Sequence, residues 1–299
     1  MLRRGIPCLA ALIGLAASCA AGAAEQAPAG EAKGLTNPFF ALCIGTHDTR
    51  RRTPAQQAKM LKALGYAGMA HVGLKGLPQR LKTLDENGLR LFQVYVGVNI
   101  DPKKRKYDPG LKDAIRLLKG RETMLGLLVG GRRPSAVEGD ARGVEIIREI
   151  ADMAKESGLR VALYPHTGDW VERVEDAVRV ARKVDRKNVG AMFNLCHWLK
   201  VDDEKNMAPL LKLAAPHLFA VTINGADSGA RGAGWNRLIQ PLDRGSFDVY
   251  RFLKTLKALG YTGPIGLQCY GIRADAGEIL KRSMAAWRKL SARLAAEEK

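Results

Sequence analysis

From residue 39 onward the chain alternates short apolar runs with longer segments whose apolar positions recur every three or four residues, and it does so eight times. The short runs read as strands and fall at 39–45, 68–72, 89–98, 124–129, 159–164, 189–195, 218–224 and 264–269. The longer segments between them predict amphipathic helices. The first begins at Thr53-Pro54, an N-cap residue followed by proline at the first helical position. Others are predicted at 77–87, 109–119, 140–157, 170–184, 204–215 and 247–259, and a helix over 276–296 closes the chain.

Two internal echoes support a repeated strand-helix unit. Leu61-Lys62-Ala63-Leu64-Gly65-Tyr66 returns as Leu256-Lys257-Ala258-Leu259-Gly260-Tyr261, and Glu86-Asn87-Gly88-Leu89-Arg90 returns as Glu156-Ser157-Gly158-Leu159-Arg160. In each, glycine ends a helix in the left-handed conformation it tolerates, and a buried strand follows. Eight such units predict an α/β chain with a single-domain (β/α)8 TIM barrel over residues 38–292, leaving 293–299 as a C-terminal tail. A doubly wound open sheet is the rival, but no GxGxxG follows the first strand.

The beginning of the chain reads differently. Arg3 and Arg4 precede an apolar run over 8–20 broken only at Ser18, and small residues at 21–24 lead into Glu25. That is the three-part pattern of a signal peptide over 1–24, too short and too rich in alanine to remain as a span. It predicts export to the periplasm or beyond, with no stable membrane insertion after cleavage. Ala16-Ala17-Ser18-Cys19 also resembles a lipoprotein box, which would leave a lipid on Cys19. Residues 25–37, rich in Ala, Gly and Glu, predict a disordered leader.

Composition changes little in this picture. Lys and Arg number 48 against 30 Asp and Glu, a formal charge of +18 over 299 residues. Apart from Arg50-Arg51-Arg52 and Lys103-Lys104-Arg105-Lys106, the bases are spread over helix faces among acids, so the charge reads as a solvated surface and not as a nucleic-acid footprint. The mature chain keeps Cys43, Cys196 and Cys269, an odd number without a CxxC pair, and buried thiols are expected.

In a barrel of this kind the chemistry sits at the carboxyl ends of the strands. Four of the five histidines fall there: His47, His71, His166 and His197. Beside them stand Asp48, Tyr164, Trp170, Asn194, Trp198, Asn224 and Gln268. The glycine-rich stretch 225–245 reads as a mobile lid or substrate loop that carries Trp235. Arg132 and Arg133, after two glycines, are candidates for an anionic group.

The order of units, the segment Leu163-Tyr164-Pro165-His166, the segment Phe193-Asn194-Leu195-Cys196-His197 and the late strand 263–268 together resemble the xylose isomerase-like barrel superfamily. That group contains sugar isomerases, sugar epimerases and apurinic-site endonucleases. The resemblance implies a divalent metal held by Glu, Asp, His and Glu at strands five to eight. Here Tyr164, Asn194, Asn224 (or Thr222) and Gln268 stand at those places, and only His197 keeps the substrate-binding histidine. Neutral amides carry no net charge and present an NH2 that repels a cation, so this set predicts a degenerate site with no resident metal. A displaced site built from His47, Asp48, His71 or His166 stays open, and any other cofactor is unknown.

These residues point to a small sugar or glycoside as ligand. His166 and His197, with ordinary pKa values near ~6.5, are the candidate acid/base pair for isomerisation, epimerisation or elimination beside a carbonyl. Tyr164, Asn194, Asn224, Gln268, Trp198, Trp235, His47 and His71 are the candidate substrate-binding set, with Trp170 as a further stacking candidate. A non-catalytic carbohydrate-binding barrel is the alternative. An apurinic-site nuclease is a distant third, because its metal cluster is missing and export separates it from chromosomal DNA.

Overall fold

Eight parallel strands close on themselves in chain order in the computed structural model, which describes residue 2, residues 34–44 and residues 47–297. The chain divides into two units, Met1–Ala32 and Lys33–Lys299, and the second holds the barrel. The predicted export segment (residue 2 aside), Cys19, most of the predicted leader, Gly45 of the first predicted strand and Thr46 after it lie outside the described residues.

The strands are β1 (Phe39–Leu42), β2 (Gly68–Val72), β3 (Arg90–Asn99), β4 (Met124–Gly130), β5 (Arg160–Leu163), β6 (Val189–Asn194), β7 (Leu218–Ile223) and β8 (Ile265–Gln268). Leu42 pairs with Gln268, which closes the ring. The helices are α1 (Pro54–Leu64), α2 (Leu77–Asp85), α3 (Leu111–Leu117), α4 (Asp140–Glu156), α5 (Val174–Val184), α6 (Leu195–Val201), α7 (Met207–Ala214), α8 (Trp235–Leu238), α9 (Val249–Ala258) and α10 (Ala276–Ala296). The (β/α)8 prediction holds, and each strand falls within two or three residues of its predicted place.

Alternate strand residues fill the barrel or face the helices. Phe40, Phe92, Met124, Ala162, Met192 and Ala220 pack inside, with Tyr95 and Tyr164 above them. Two strand glycines make room for this filling. A Cβ at Gly266 would stand 2.6 Å from Cζ of Phe40, and one at Gly126 would stand 3.0 Å from the Tyr95 ring. On the outside, Phe39 stacks on Trp287 of α10 with ring centroids 4.3 Å apart.

The sequence echoes are structural. Gly65, Gly88, Gly158 and Gly260 all have positive φ, between 62° and 86°, as the turn from each helix toward the next strand requires. Thr53 and Gln56 form the predicted N-terminal cap of α1 by reciprocal hydrogen bonds.

Some predicted boundaries are corrected. Residues 34–37 are not a loose leader: the Leu35 N–H donates to Ser291 Oγ at 2.9 Å, and the buried Asn37 amide donates to the carbonyls of Tyr261 and Gly263. Residues 293–296 belong to α10, as the helix predicted over 276–296 has it, and not to the predicted tail. The helix expected over 170–184 begins at Val174, because Trp170 is fully buried and its turn is held by an indole hydrogen bond to the Ala136 carbonyl at 2.7 Å.

Candidate active site

β5 and β6 place the central residues. After Leu163, Tyr164 stays extended, as a residue before proline must, and its N–H bonds to the Leu127 carbonyl of β4 at 3.0 Å. His166, Thr167, Gly168 and Asp169 then form a tight turn closed by Asp169 N–H to the His166 carbonyl at 3.0 Å. Gly168, at φ 89°, occupies the third position, where that turn demands a left-handed residue. On the neighbouring strand no loop intervenes: Asn194 ends β6 and Leu195 begins α6, so His197 stands in the first turn of a helix that grows out of the barrel wall.

These two ends meet around a cavity of about 410 Å³ at the carboxyl face of the barrel. Tyr95, Tyr164 and Gln268 form its floor, and His166, Thr167 and His197 one wall. Trp235 and Ile239 close the side next to His197, and Cys43, Val72, Leu128 and Tyr270 complete the rim. The imidazoles of His166 and His197 lie 4.2 Å apart between ring centroids, and the Trp235 ring stands edge-on to His197 at 5.1 Å.

The two histidines are set differently. His197 Nδ1 accepts the Thr167 backbone N–H at 3.1 Å, and a backbone amide can only donate. The lone pair is therefore on Nδ1 and the proton of the neutral ring on Nε2. Burial, with the adjacent His166 second, holds the His197 pKa well below that of an ordinary histidine. His166 instead turns Nδ1 toward the Asp169 carboxylate at 3.5 Å. Burial lowers its pKa, and the Asp169 charge pulls partly the other way. Burial likewise raises Asp169. The turn brings Asp169 against a bare strand end, because a Cβ at Gly130 would already stand 3.3 Å from Asp169 Oδ1.

Beneath the cavity lies a layer of neutral polar groups. Asn194 donates its amide to the Tyr164 hydroxyl, and Gln268 Nε2 approaches the same oxygen at 3.4 Å. The amide carbonyls are tied elsewhere: Asn194 Oδ1 accepts from Cys196 Sγ at 3.0 Å, and Gln268 Oε1 accepts from the Tyr270 N–H at 3.0 Å. Thr222, paired in register with Asn194, is buried with no partner for its hydroxyl among the described residues.

Of the residues expected here, His166, His197, Tyr164, Gln268 and Trp235 line the cavity. Five do not. Asn194 stands behind Tyr164, within its hydrogen-bond layer. Asn224 is wholly buried and donates to the carbonyls of Gly225 at 2.7 Å and Leu238 at 2.6 Å, pinning the loop after β7 and offering no donor to a ligand. Trp198, next to His197 on α6, points to the other side of that helix and is buried against Phe193 and Phe247. His71 donates Nε2–H to the Lys75 carbonyl at 3.0 Å, and His47 packs edge-on against Tyr270 beside a separate small hollow. Trp170, the further stacking candidate, is core. Two glycines, one in α4 and one just before it, make room for it: a Cβ at Gly143 would lie 2.4 Å from Cη2 of Trp170, and one at Gly139 2.6 Å from its Nε1.

The stretch 225–245 is a folded wall. Lys200 Nζ donates to the carbonyls of Gly232 at 2.9 Å and Ala233 at 2.6 Å, and Glu204 accepts from Ser228 and Gly229. Asp169, which faces His166, is a residue that sequence reading passed over. Its signal was the His-x-Gly-Asp spacing, in which glycine at the third position folds the acid back toward the histidine.

The donor set does not suit a divalent metal. At the strand-five to strand-eight positions Asn194 and Gln268 turn their NH2 groups toward Tyr164, Asn224 spends its own on backbone carbonyls, and no carboxylate is present. Among the described residues no three His, Cys, Asp or Glu side chains converge as a metal cage would. The displaced set is dispersed: Asp48 is held by Arg52 at 2.8 Å and by the Arg50 and Ala276 amides.

Comparison with known proteins agrees with this architecture. A family model described as xylose isomerase-like TIM barrel matches residues 57–290. The 3-dehydroshikimate dehydratase of Pseudomonas aeruginosa is 28% identical over 185 residues, 60% of this chain and 27% of that protein, so the chain spans about a quarter of that relative. Among solved structures, the 3-keto-D-glucoside 4-epimerase YcjR of E. coli superposes with a TM-score of 0.65 at 20% identity, covering 85% of this chain and 99% of that one. The D-allulose 3-epimerase of Methylomonas sp. gives a TM-score of 0.66 at 15% identity, covering 87% and 99%.

Proposed function

The chain belongs to the xylose isomerase-like TIM-barrel family, and within it we propose that this protein is an enzyme moving a proton at the carbon beside a carbonyl of a small sugar-like substrate. Isomerisation, epimerisation and β-elimination all begin with that step. The observation that carries the reading is the unequal pair of imidazoles 4.2 Å apart at the cavity wall.

His166, turned by Asp169, offers the lone pair of Nε2 as base. His197 has its Nδ1 occupied by Thr167 and presents Nε2–H as a donor to the substrate oxygen. Its role is thus to hold the oxygen, not to share the acid/base work with His166. When the C–H bond breaks, its proton goes to His166, the electron pair becomes the new C=C bond, and negative charge moves to the oxygen facing His197. Protonation of the same carbon by solvent on the face away from His166 epimerises; return of the proton from His166 to the neighbouring carbon, with a hydroxyl proton passing between the two oxygens, isomerises. Loss of a β-hydroxyl as water, carrying the proton that His166 took, dehydrates. Trp235 supplies an apolar face for a sugar ring. That the relatives include a dehydratase and epimerases supports this shared first step.

Export belongs to the same proposal and rests on the N-terminal sequence pattern alone. N-terminal sequencing of protein recovered from the periplasm and medium tests it, and an intact residue 1 would sink it.

The central test is incubation of the purified protein with keto- and aldo-sugars and cyclic keto acids in deuterated water. Incorporation of deuterium next to the carbonyl is expected. Saturable binding with no exchange across the panel would instead make it a binding protein.

A further inference from the structure

We infer that the Tyr164 hydroxyl is a second oxygen-holding donor, the centre of a neutral oxyanion hole that Asn194 and Gln268 build at the cavity floor. This rests on the proton-transfer reading above and adds a catalytic residue to it. The argument is one of hydrogen-bond direction. The carbonyl ends of Asn194 and Gln268 are occupied by Cys196 Sγ and by the Tyr270 N–H, so their NH2 ends must face Tyr164. Both aim at the phenolic oxygen, which fills its accepting positions. The phenol's own proton then has to point elsewhere. Among the described residues no acceptor takes it, and the neighbouring Tyr95 hydroxyl is committed to Gln93 Oε1 at 2.7 Å.

The remaining direction is the cavity that Tyr164 lines. Its ring stands 6.0 Å from His166 and 5.7 Å from His197, so one substrate carbonyl can sit under both donors while its α-carbon faces His166. Burial keeps the phenol protonated throughout the neutral range. As the C–H pair moves into the C=C bond, the oxygen gains charge and receives stronger hydrogen bonds from Tyr164 O–H and His197 Nε2–H. No proton leaves Tyr164, and the abstracted one goes to His166. Where the family pattern places carboxylates around a cation, this chain has amides that polarise a phenol.

The test uses Tyr164→Phe, which removes one oxygen, and Asn194→Asp, which keeps the hydroxyl but turns the hydrogen bond around so that the phenol donates downward. Both are checked by circular dichroism and melting. Two readouts are taken: deuterium exchange into substrate, and binding of aldonohydroxamates, planar mimics of the enolate, against the matching alditols. Both variants should lose about 100–1000-fold in kcat with KM little changed. Both should also lose the preference for hydroxamate over alditol that the wild type shows. If the wild type exchanges and Tyr164→Phe stays within about threefold of it, the inference is overturned while the proton-transfer reading stands. If the wild type does not exchange, that reading falls, and the hydroxamate preference alone decides. Its loss in both variants supports the hole. Its absence in the wild type or its survival in either variant overturns it.

Discussion

The Thr167 backbone N–H and the Asp169 carboxylate, two residues apart on one turn, address neighbouring histidines with opposite polarity: Thr167 donates to Nδ1 of His197, and Asp169 faces Nδ1 of His166. His197 thereby keeps its lone pair on Nδ1 and its proton on Nε2, whereas His166 Nδ1 faces the carboxylate at 3.5 Å without a hydrogen bond among the described residues.

His166→Gln should abolish exchange by at least ~100-fold, the usual contribution of a positioned base. Asp169→Asn should cost less, about 10-fold, because the ring stays and only its orientation and charge partner are lost. Steady-state rates of deuterium incorporation distinguish the two.

The pH profile follows from the same pair. A base works when neutral, so exchange should rise with pH through an apparent pKa below the ordinary histidine value, burial being the larger influence on His166. Asp169 holds that value up, so in Asp169→Asn the acid limb should move to lower pH. A profile of kcat/KM against pH for both proteins checks the direction.

Stability should also depend on pH. Burial first, and the neighbouring His166 second, depress the folded-state pKa of His197. The unfolded chain therefore binds a proton near pH ~6.5 that the folded chain refuses. Stability is full above that value and declines as pH falls from ~6.5 toward the folded pKa, by up to ~1.4 kcal/mol per pH unit for this residue. Denaturant titrations between neutral and mildly acidic pH should show a shallower decline in His197→Gln.

Gly143→Ala should destabilise the barrel by about 1–3 kcal/mol, since its Cβ would collide with the ring of Trp170. A change below ~0.5 kcal/mol on urea denaturation would mean that the indole shifts freely.

Lys200→Ala should raise KM several-fold, ~3–10, with a smaller effect on kcat. Its ammonium ties down Gly232 and Ala233 and lies 5.5 Å from the Trp235 ring, so its loss frees the wall that holds the substrate and leaves the histidines in place.

Much of this was legible from local pattern. The glycine turns at Gly65 and Gly260 and the cap at Thr53 act over a few residues, so the repeat and the barrel followed from them. The chemistry of strand ends was legible only in part. Trp198 and His197 are adjacent, and nothing in their sequence says which faces the cavity; α6 decides that by starting directly at the end of β6, a junction its apolar run concealed. Asn224 carries the same side chain as Asn194, yet it spends its amide on the backbone of its own loop. Asp169 acts through a turn whose closing hydrogen bond becomes evident only once the chain is folded.

The direct junction of β6 with α6 also governs how this site can vary. Between Asn194 and His197 the chain has no slack. One residue added or removed there would rotate His197 about the helix axis by ~100° and carry its ring off the cavity. The stretch after β7 can grow or shrink at its exposed turns without moving a catalytic group. The site can therefore diversify by exchanging side chains along 194–197 and by changing length after residue 225, and the two kinds of change are confined to separate parts of the rim.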